Sequence, residues 1–292
     1  MDRSSIQVFL TVAEAGSFRK AANRLGYTQA GISYIIRGME EETGLNLFIR
    51  DRSGVRLSPE GQALLPQIKQ LELDNHILQR TVNELKGLEQ GTLRVQIFDS
   101  ISIHWIPGIV QQFRKDYPGI GIELITEEDS LRAEEMVLTG AVDCGFFLTG
   151  IRAPLDVFAL KEESLLAIVS KEHELASAEK FPVSRLGEFP YISMKYDHHT
   201  GINEIFERYH ARPDTAYCLD NDYAAMAMVS KNLGYCIFPE LLLRDIPYEL
   251  CCLEFDQPQK RTISIGTRSM ETASKACLKF MEYTRRWVEE NA

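Results

Sequence analysis

Gln29, Ser33 and Arg37 stand four residues apart, so a helix over this stretch would carry all three on one face. An amide, a hydroxyl and a guanidinium side by side form a hydrogen-bonding strip. The glutamine amide has the geometry to pair with the N6/N7 edge of adenine, and a serine hydroxyl serves either a base or a phosphate. Ile32, Ile35 and Ile36 occupy the opposite side. Thr28, one residue before the helix, is placed to cap it. The free N–H groups of such an end attract anions. Catalytic spacing is missing: GIGIEL at 119–124 lacks the third glycine of a dinucleotide loop and leads into a strand, and no GxSxG, HExxH or Walker loop occurs. No enzymatic activity is expected.

The elements that must hold this strip are legible around it. Ile6, Phe9, Leu10 and Ala13 recur at helical spacing up to Gly16. Ser17 caps a second helix, Phe18 to Leu25, whose Ala21–Ala22 pair lets helices cross closely. After Gly26–Tyr27 a third helix runs from Thr28 to about Thr43, with Ile32, Ile35, Ile36 and Met39 inward and Gly44 as its stop. Two helices joined by a tight turn are the layout of a helix-turn-helix. Residues 47–50 and 54–57 read as a two-stranded wing around Asp51–Arg52–Ser53. Ser58–Pro59 starts another helix, with an apolar 4–3 repeat at Leu64, Ile68, Leu71, Asn75, Leu78, Val82 and Leu85. That is a coiled-coil seam with one polar position, which predicts a dimer in register; Pro66 predicts a kink or a delayed start.

From Gly91 strands and helices alternate, which predicts an α/β fold with a largely parallel sheet. LRVQIF, IGIELIT and VDCGFFL read as strands, with helices over 103–117 and 130–139; VFAL and SLLAIVS read as two successive strands. A second alternating set follows: YISM, a helix after Thr200, TAYCL, a helix over 223–232, YCIFP and ELCCLEF. RTISIGT and a helix over 273–289 close the chain. Two such lobes suggest a hinged clamshell. The expected boundaries are 1–58 for the winged unit, 59–90 for the linker helix and 91–292 for the clamshell, with lobe I at 91–162 and 266–292 and lobe II at 163–265.

Charge separates these regions. The 292-residue chain carries a net charge of −10, yet residues 1–58 hold eight Lys/Arg against six Asp/Glu, and residues 91–292 hold 21 against 31. The acidic part is excluded as a general polyanion binder, whereas the slightly basic N-terminal part is suited to one if its charges cluster. No run reaches the ~18 apolar residues of a membrane span, and the first residues lack a signal-peptide pattern; a cytoplasmic protein is expected. Six cysteines show no CxxC spacing, consistent with reduced thiols; a redox pair of Cys218 and Cys236 is the alternative. Asp197–His198–His199 with His210 is the densest metal-ligand cluster, but adjacent histidines in a polar loop are ordinary and no metal is expected.

The stretch F9…V12…E14…G16-S17-F18…A21-A22…L25…T28-Q29…I32-S33…I36…M39-E40…G44…L47-F48…R50…R52…V55…L57-S58…G61 resembles the N-terminal domain of LysR-type transcriptional regulators. More loosely, Pro107, Tyr117–Pro118 and LTGAVDCGF at 138–146 resemble that family's effector domain. The resemblance implies a winged helix-turn-helix on double-stranded promoter DNA. It also implies a linker-helix homodimer, extending to a tetramer, with RNA polymerase as a further partner, and a periplasmic-binding-protein-like sensor for a small-molecule co-inducer. It implies no other cofactor. It makes Gln29 and Ser33 base or phosphate readers, Ser17 and Thr28 phosphate contacts with helix N-terminal amides, Arg50 and Arg52 backbone contacts at the wing, and Tyr34 and Arg37 further DNA contacts. Relatives usually have proline at the place of Ala30 and a larger residue than Gly31; glycine there costs about 0.8–1 kcal/mol of helix propensity.

The resemblance puts the effector between the lobes, against Ser100, Ser102, Thr126, Glu128, Phe147 and Thr149 on one side and Ser193 and Thr200 on the other. Hydroxyls at strand ends and helix starts suit a small carboxylate or oxyanion, although Ser102 and Thr200 are also natural caps. Asp99, Glu127, Glu128 and Asp129 oppose an anion. If they line the cleft, an amino acid or a cation is favoured; if they face solvent, they add only to net charge.

Overall fold

The structure, a computed structural model, describes residues 2–51, 54–85, 91–148, 150–197 and 200–292, and only the backbone of residues 3, 51, 76, 79–81 and 83–85. Its backbone divides into two units, Met1–Leu85 and Lys86–Ala292.

In the first unit, α1 (Arg3–Ala15), α2 (Phe18–Leu25) and α3 (Gln29–Thr43) are followed by β1 (Phe48–Asp51), β2 (Gly54–Leu57) and α4 (Pro59–Leu85). The helix ends are where the sequence places them. Asp2 forms a capping box with Ser5, Ser17 accepts from the Lys20 N–H, and Thr28 accepts from the Gly31 N–H at 3.0 Å. Gly16, Gly26 and Gly44 terminate the three helices in the left-handed conformation. Phe9, Val12, Ala21, Ile32 and Ile36 are fully buried in one core, with Phe9 against Phe48 at 5.1 Å between ring centres. Burying each large apolar side chain contributes about 1.5–3 kcal/mol, enough together to hold α3 by its inner face and leave the outer face free. Glu40 ties α3 to the wing by accepting from the Leu47 N–H at 2.8 Å. Gly61 is required where α4 passes the wing: a Cβ there would lie 2.2 Å from the Leu47 carbonyl oxygen.

α4 starts at Pro59 and continues through Pro66, without the delayed start that proline predicts. The side chain of Pro66 is exposed, so the helical hydrogen bond it forfeits lies on the water side. The 4–3 repeat also divides. Ile68 is 1% exposed and packs in the core of its own unit, with Leu64 beside it. Leu71 and Leu78 remain 43% and 57% exposed, while Asn75 and Val82 are half-buried. Ile68 is therefore corrected from a dimer contact to a core residue; the Leu85 side chain lies outside the described residues.

The second unit is mixed rather than largely parallel. β3 (Gly91–Ile97) pairs in parallel with β4 (Ile120–Thr126) and β5 (Cys144–Phe147). β6 (Asp156–Ser170) and β11 (Gln259–Thr267) pair antiparallel to each other, and β11 antiparallel to β5. β9 (Cys236–Pro239) and β10 (Leu250–Leu253) flank β6, giving seven strands. β7 (Pro190–Met194) and β8 (Asp214–Leu219) form a separate parallel pair. VFAL and SLLAIVS are one 15-residue strand, β6. Its first half packs Phe158 and Leu160 against one core, and its second half puts Leu165, Ala167 and Val169 into another. β11 returns beside it, with Ile263 and Ile265 already in the first core, so the return crossing falls before residue 266. The antiparallel direction follows from this traffic: a strand that leaves a lobe and one that re-enters it must run opposite ways.

Helices α5 (Asp99–His104), α6 (Ile106–Asp116), α7 (Ser130–Leu138), α8 (Ile202–Arg208), α9 (Asp222–Ser230) and α10 (Lys275–Asn291) cover the sheets. α5 begins directly at Asp99, four residues before the expected helix start. Among the described residues no helix is long and apolar enough to cross a membrane. The cysteines are free thiols: Cys144, Cys236 and Cys277 are buried, and Cys218 and Cys252 exposed. Cys236 donates to the Ile192 carbonyl and is not bonded to Cys218.

Candidate functional site

The outer face of α3 is the first candidate. Gln29 and Arg37 are exposed, Tyr34 is 80% exposed, and Ser33 is half-buried at the base of the strip. Arg50 from β1 reaches across to donate to Ser33 Oγ at 3.1 Å, with its guanidinium 4.3 Å from the centre of the Phe18 ring. Helix and wing thus present one continuous polar surface, and stacking preorganises the arginine. Arg37 is held by Glu41 one turn on, at 2.9 Å. A Cβ at Gly31 would press on Thr28 Oγ1 at 3.3 Å, so its slimness favours the cap hydrogen bond itself. Ser17 caps α2 from an exposed bond. Arg52 lies outside the described residues. Glu40 and Phe18, which set the wing and its arginine, carried no site signal of their own in the sequence.

The second candidate is a cleft within the second unit. Arg261 of β11 lines it where β11 runs beside β6. There Arg261 and Glu163 are cross-strand partners in a buried ion pair of 2.6 Å, and Glu163 also accepts from the Leu241 N–H. One wall comes from β3, α5 and the segment after β4 (Gln96, Phe98, Asp99, Ser100, Glu127, Glu128), with Phe147 from β5. The other comes from the segment after β7 (Tyr196, Asp197, Thr200) and from Asp222 at the start of α9, with Phe238 of β9.

The lining is mainly apolar, but among its charged groups the carboxylates outnumber the arginine. Burial pushes Glu128 up to about 7, opposed by a hydrogen bond from the Asp99 N–H at 2.8 Å and reinforced by the charges of Asp99 and Asp222. Burial likewise raises Asp222 to about 6, helped by Asp99. Asp197 also rises to about 6 through burial, although Tyr191 Oη–H and the Met194 N–H donate to its Oδ2 at 2.7 and 2.9 Å. Its Oδ1 is buried without a partner, and so is Ser100 Oγ. Such orphaned groups each cost about 1–3 kcal/mol unless something bonds them.

Ser100, Glu128, Phe147 and Thr200 are therefore brought together as expected, with Asp99 and Glu127. Ser102 is not part of the lining: its hydroxyl turns back to the Asp99 carbonyl at 2.8 Å. Thr126 is exposed. Ser193 bonds the Tyr217 carbonyl at 3.2 Å, joining β7 to β8. Asp129 caps α7 through the N–H groups of Leu131 and Arg132. Thr149, His198 and His199 lie outside the described residues, and among the described residues no three ligating side chains group to hold a metal. Arg261 and Asp222 were missed, and Asp197 was singled out only beside the histidines. Asp222 had a readable signal, an acid at a helix start just after a strand; Arg261 had none, because its partner is 98 residues away.

Both units match known proteins. Residues 4–62 match the family model described as bacterial regulatory helix-turn-helix protein, lysR family, and residues 86–289 match the LysR substrate binding domain. The HTH-type transcriptional regulator YvbU of Bacillus subtilis is 26% identical over 289 residues, covering 98% of each chain. The crystal structure of CbnR, a LysR family transcriptional regulator, superposes with a TM-score of 0.73 at 19% identity over 99% of both chains. Full-length CbnR complexed with its target DNA gives 0.70 at 21% identity, over 98% of this chain and all of that one.

Proposed function

The chain belongs to the LysR family of DNA-binding transcriptional regulators with an effector-binding domain, and from that premise we propose how its residues divide the work. Gln29 and Ser33 meet base edges or phosphates in the major groove; Thr28 and Ser17 present helix N-termini to the backbone; Arg50 and Arg52 hold phosphates beside the groove. Tyr34 and Arg37 add contacts at the edge of α3. The chain works in the cytoplasm as a dimer, paired through the exposed apolar positions of α4, Leu71 and Leu78, with Asn75 fixing register. Pairs of dimers and RNA polymerase complete the assembly on a promoter. The effector enters the cleft, where β6 and β11 act as the hinge, and its closure alters the spacing of the DNA-reading units.

The observation that supports this best is the α3 outer face: an exposed strip whose serine is bonded by a wing arginine, on a helix anchored by a dry inner face. A gel-shift of the full chain on its own promoter region tests it. A specific complex that weakens steeply with salt is expected, because phosphate contacts release counterions. The absence of any specific shift at moderate salt would refute it.

A further inference from the structure

We infer that the cleft takes a small organic cation, an ammonium group on a short apolar body; this rests on the cleft being the effector site. Three observations converge. The first is charge. Asp99, Glu127, Glu128, Asp197 and Asp222 all line the cleft, whereas the lining cation Arg261 is already bonded to Glu163. Glu127 is paired with Arg132 at 3.4 Å, and Asp99 is exposed. The charge of Arg261 reaches both Glu128 and Asp222, so one arginine already paired with Glu163 is set against Asp99, Glu128, Asp197 and Asp222, an acidic excess. A bound carboxylate would add to this repulsion, and an ammonium would relieve it.

The second is hydrogen bonding. Ser100 and Asp197 are 3% and 4% exposed, line the cleft from opposite walls, and each holds a buried oxygen without a partner, Ser100 Oγ and Asp197 Oδ1. Asp197 is fixed by Tyr191 and the Met194 N–H on its other oxygen, so Oδ1 is a preorganised acceptor. Ammonium has three donors and no acceptor, the complement of two such oxygens. The third is the remaining surface. Phe98, Phe147, Tyr196 and Phe238 contribute aromatic or apolar area to the same cavity, which an inorganic ion would leave unused and the body of an amine would cover.

Thermal shift and titration calorimetry on the full chain test this with matched probes: phenethylamine against 3-phenylpropionate, and putrescine against succinate. At millimolar concentration at least one amine should raise the melting temperature of the second unit by about 2–4 °C, with both acids inert. Glu128→Gln combined with Asp222→Asn keeps the shape and should weaken the amine at least tenfold. Binding should also weaken as the pH falls below about 6, where Glu128, Asp197 and Asp222 take up protons. Thr200→Trp, which fills the cavity, should abolish binding. Neither amine shifting the protein would overturn the inference. So would an acid that binds wild type and is blocked by Thr200→Trp, although the cleft would then stand as the effector site. An amine shift unchanged in both Thr200→Trp and the charge-removed variant would overturn the cleft assignment as well.

Discussion

The outer face of α3 and the cleft of the second unit are both polar, but they are built at opposite energetic extremes. On α3 the polar groups stay in water. Tyr34 and Gln29 are exposed, Arg37 pairs with Glu41 at the surface, and the helix is held from behind by Ile32 and Ile36. In the cleft, Asp99 apart, charged groups are drawn out of water. Glu163 and Arg261 are almost fully buried as a pair, and Glu128, Asp197 and Asp222 bear raised protonation constants because burial disfavours their charges. A solvated strip can be altered at little cost to folding, so its residues are free to be set by the sequence of the partner. A desolvated acidic cavity carries a standing penalty, which a ligand of opposite charge removes. Recognition in the first unit is thus decoupled from stability, and in the second it is coupled to stability and pH.

Five substitutions press on that contrast. The largest effect is expected for Arg261→Met, which strands a buried carboxylate; loss of one partner of a buried ion pair costs about 3–5 kcal/mol. Both tryptophans, Trp105 and Trp287, lie in the second unit, so urea unfolding followed by tryptophan fluorescence reports on that unit alone. In the first unit, Ile68→Ala should cost about 2–5 kcal/mol by circular dichroism. Leu78→Ala, ten residues on, should leave the unit's own packing intact and instead raise the concentration at which the dimer dissociates, read by sedimentation. Equal effects of the two would mean that the seam is not divided as described.

The third prediction concerns pH. Glu128, Asp197 and Asp222 all have folded values above the ordinary ones, so the folded chain binds more protons than the unfolded chain between about pH 4 and pH 7. Their contribution to stability is present at the acid end and is lost as the pH rises through 6 to 7. Glu128→Gln should therefore stabilise the second unit at pH 8 by about 1–3 kcal/mol and leave it near parity at pH 5. A variant less stable at pH 8 would show that the ionised carboxylate is favourably held. The smallest effect is expected for Arg37→Ala, whose exposed pair with Glu41 contributes under about 0.5 kcal/mol to folding.

The same contrast explains what the sequence discloses. Every determinant of α3 is local: Thr28 caps, Gly44 stops, and isoleucines at helical spacing choose the inner face. The helix-turn-helix and wing were accordingly readable residue by residue. The cleft draws on β3, α5, β5, β9, α9, β11 and connecting segments between them, and only the topology brings these together. Asp99, Ser100, Glu127 and Glu128 were accessible as strand-end residues. Arg261 was not, since a strand arginine looks solvated until β6 is laid beside it, and Asp197 stood out only beside two histidines. Ser102 and Ser193 misled for a related reason: a hydroxyl at a helix start or strand end fits a ligand or a backbone carbonyl equally well, and here the carbonyls at Asp99 and Tyr217 take both. Ile68 was read as part of a seam because periodicity marks an apolar face without saying whether its own chain or another covers it.

The assignment of base reading to α3 is tested most directly by comparing Gln29→Ala with Arg50→Ala for binding to the target operator and to operators with single base-pair changes, at one stated salt concentration. Gln29→Ala should lose about 1–3 kcal/mol of discrimination at one base pair while keeping its affinity for unrelated DNA. Arg50→Ala should weaken every sequence about equally and flatten the salt dependence. Unchanged discrimination in Gln29→Ala, with a melting temperature equal to wild type, would contradict the assignment.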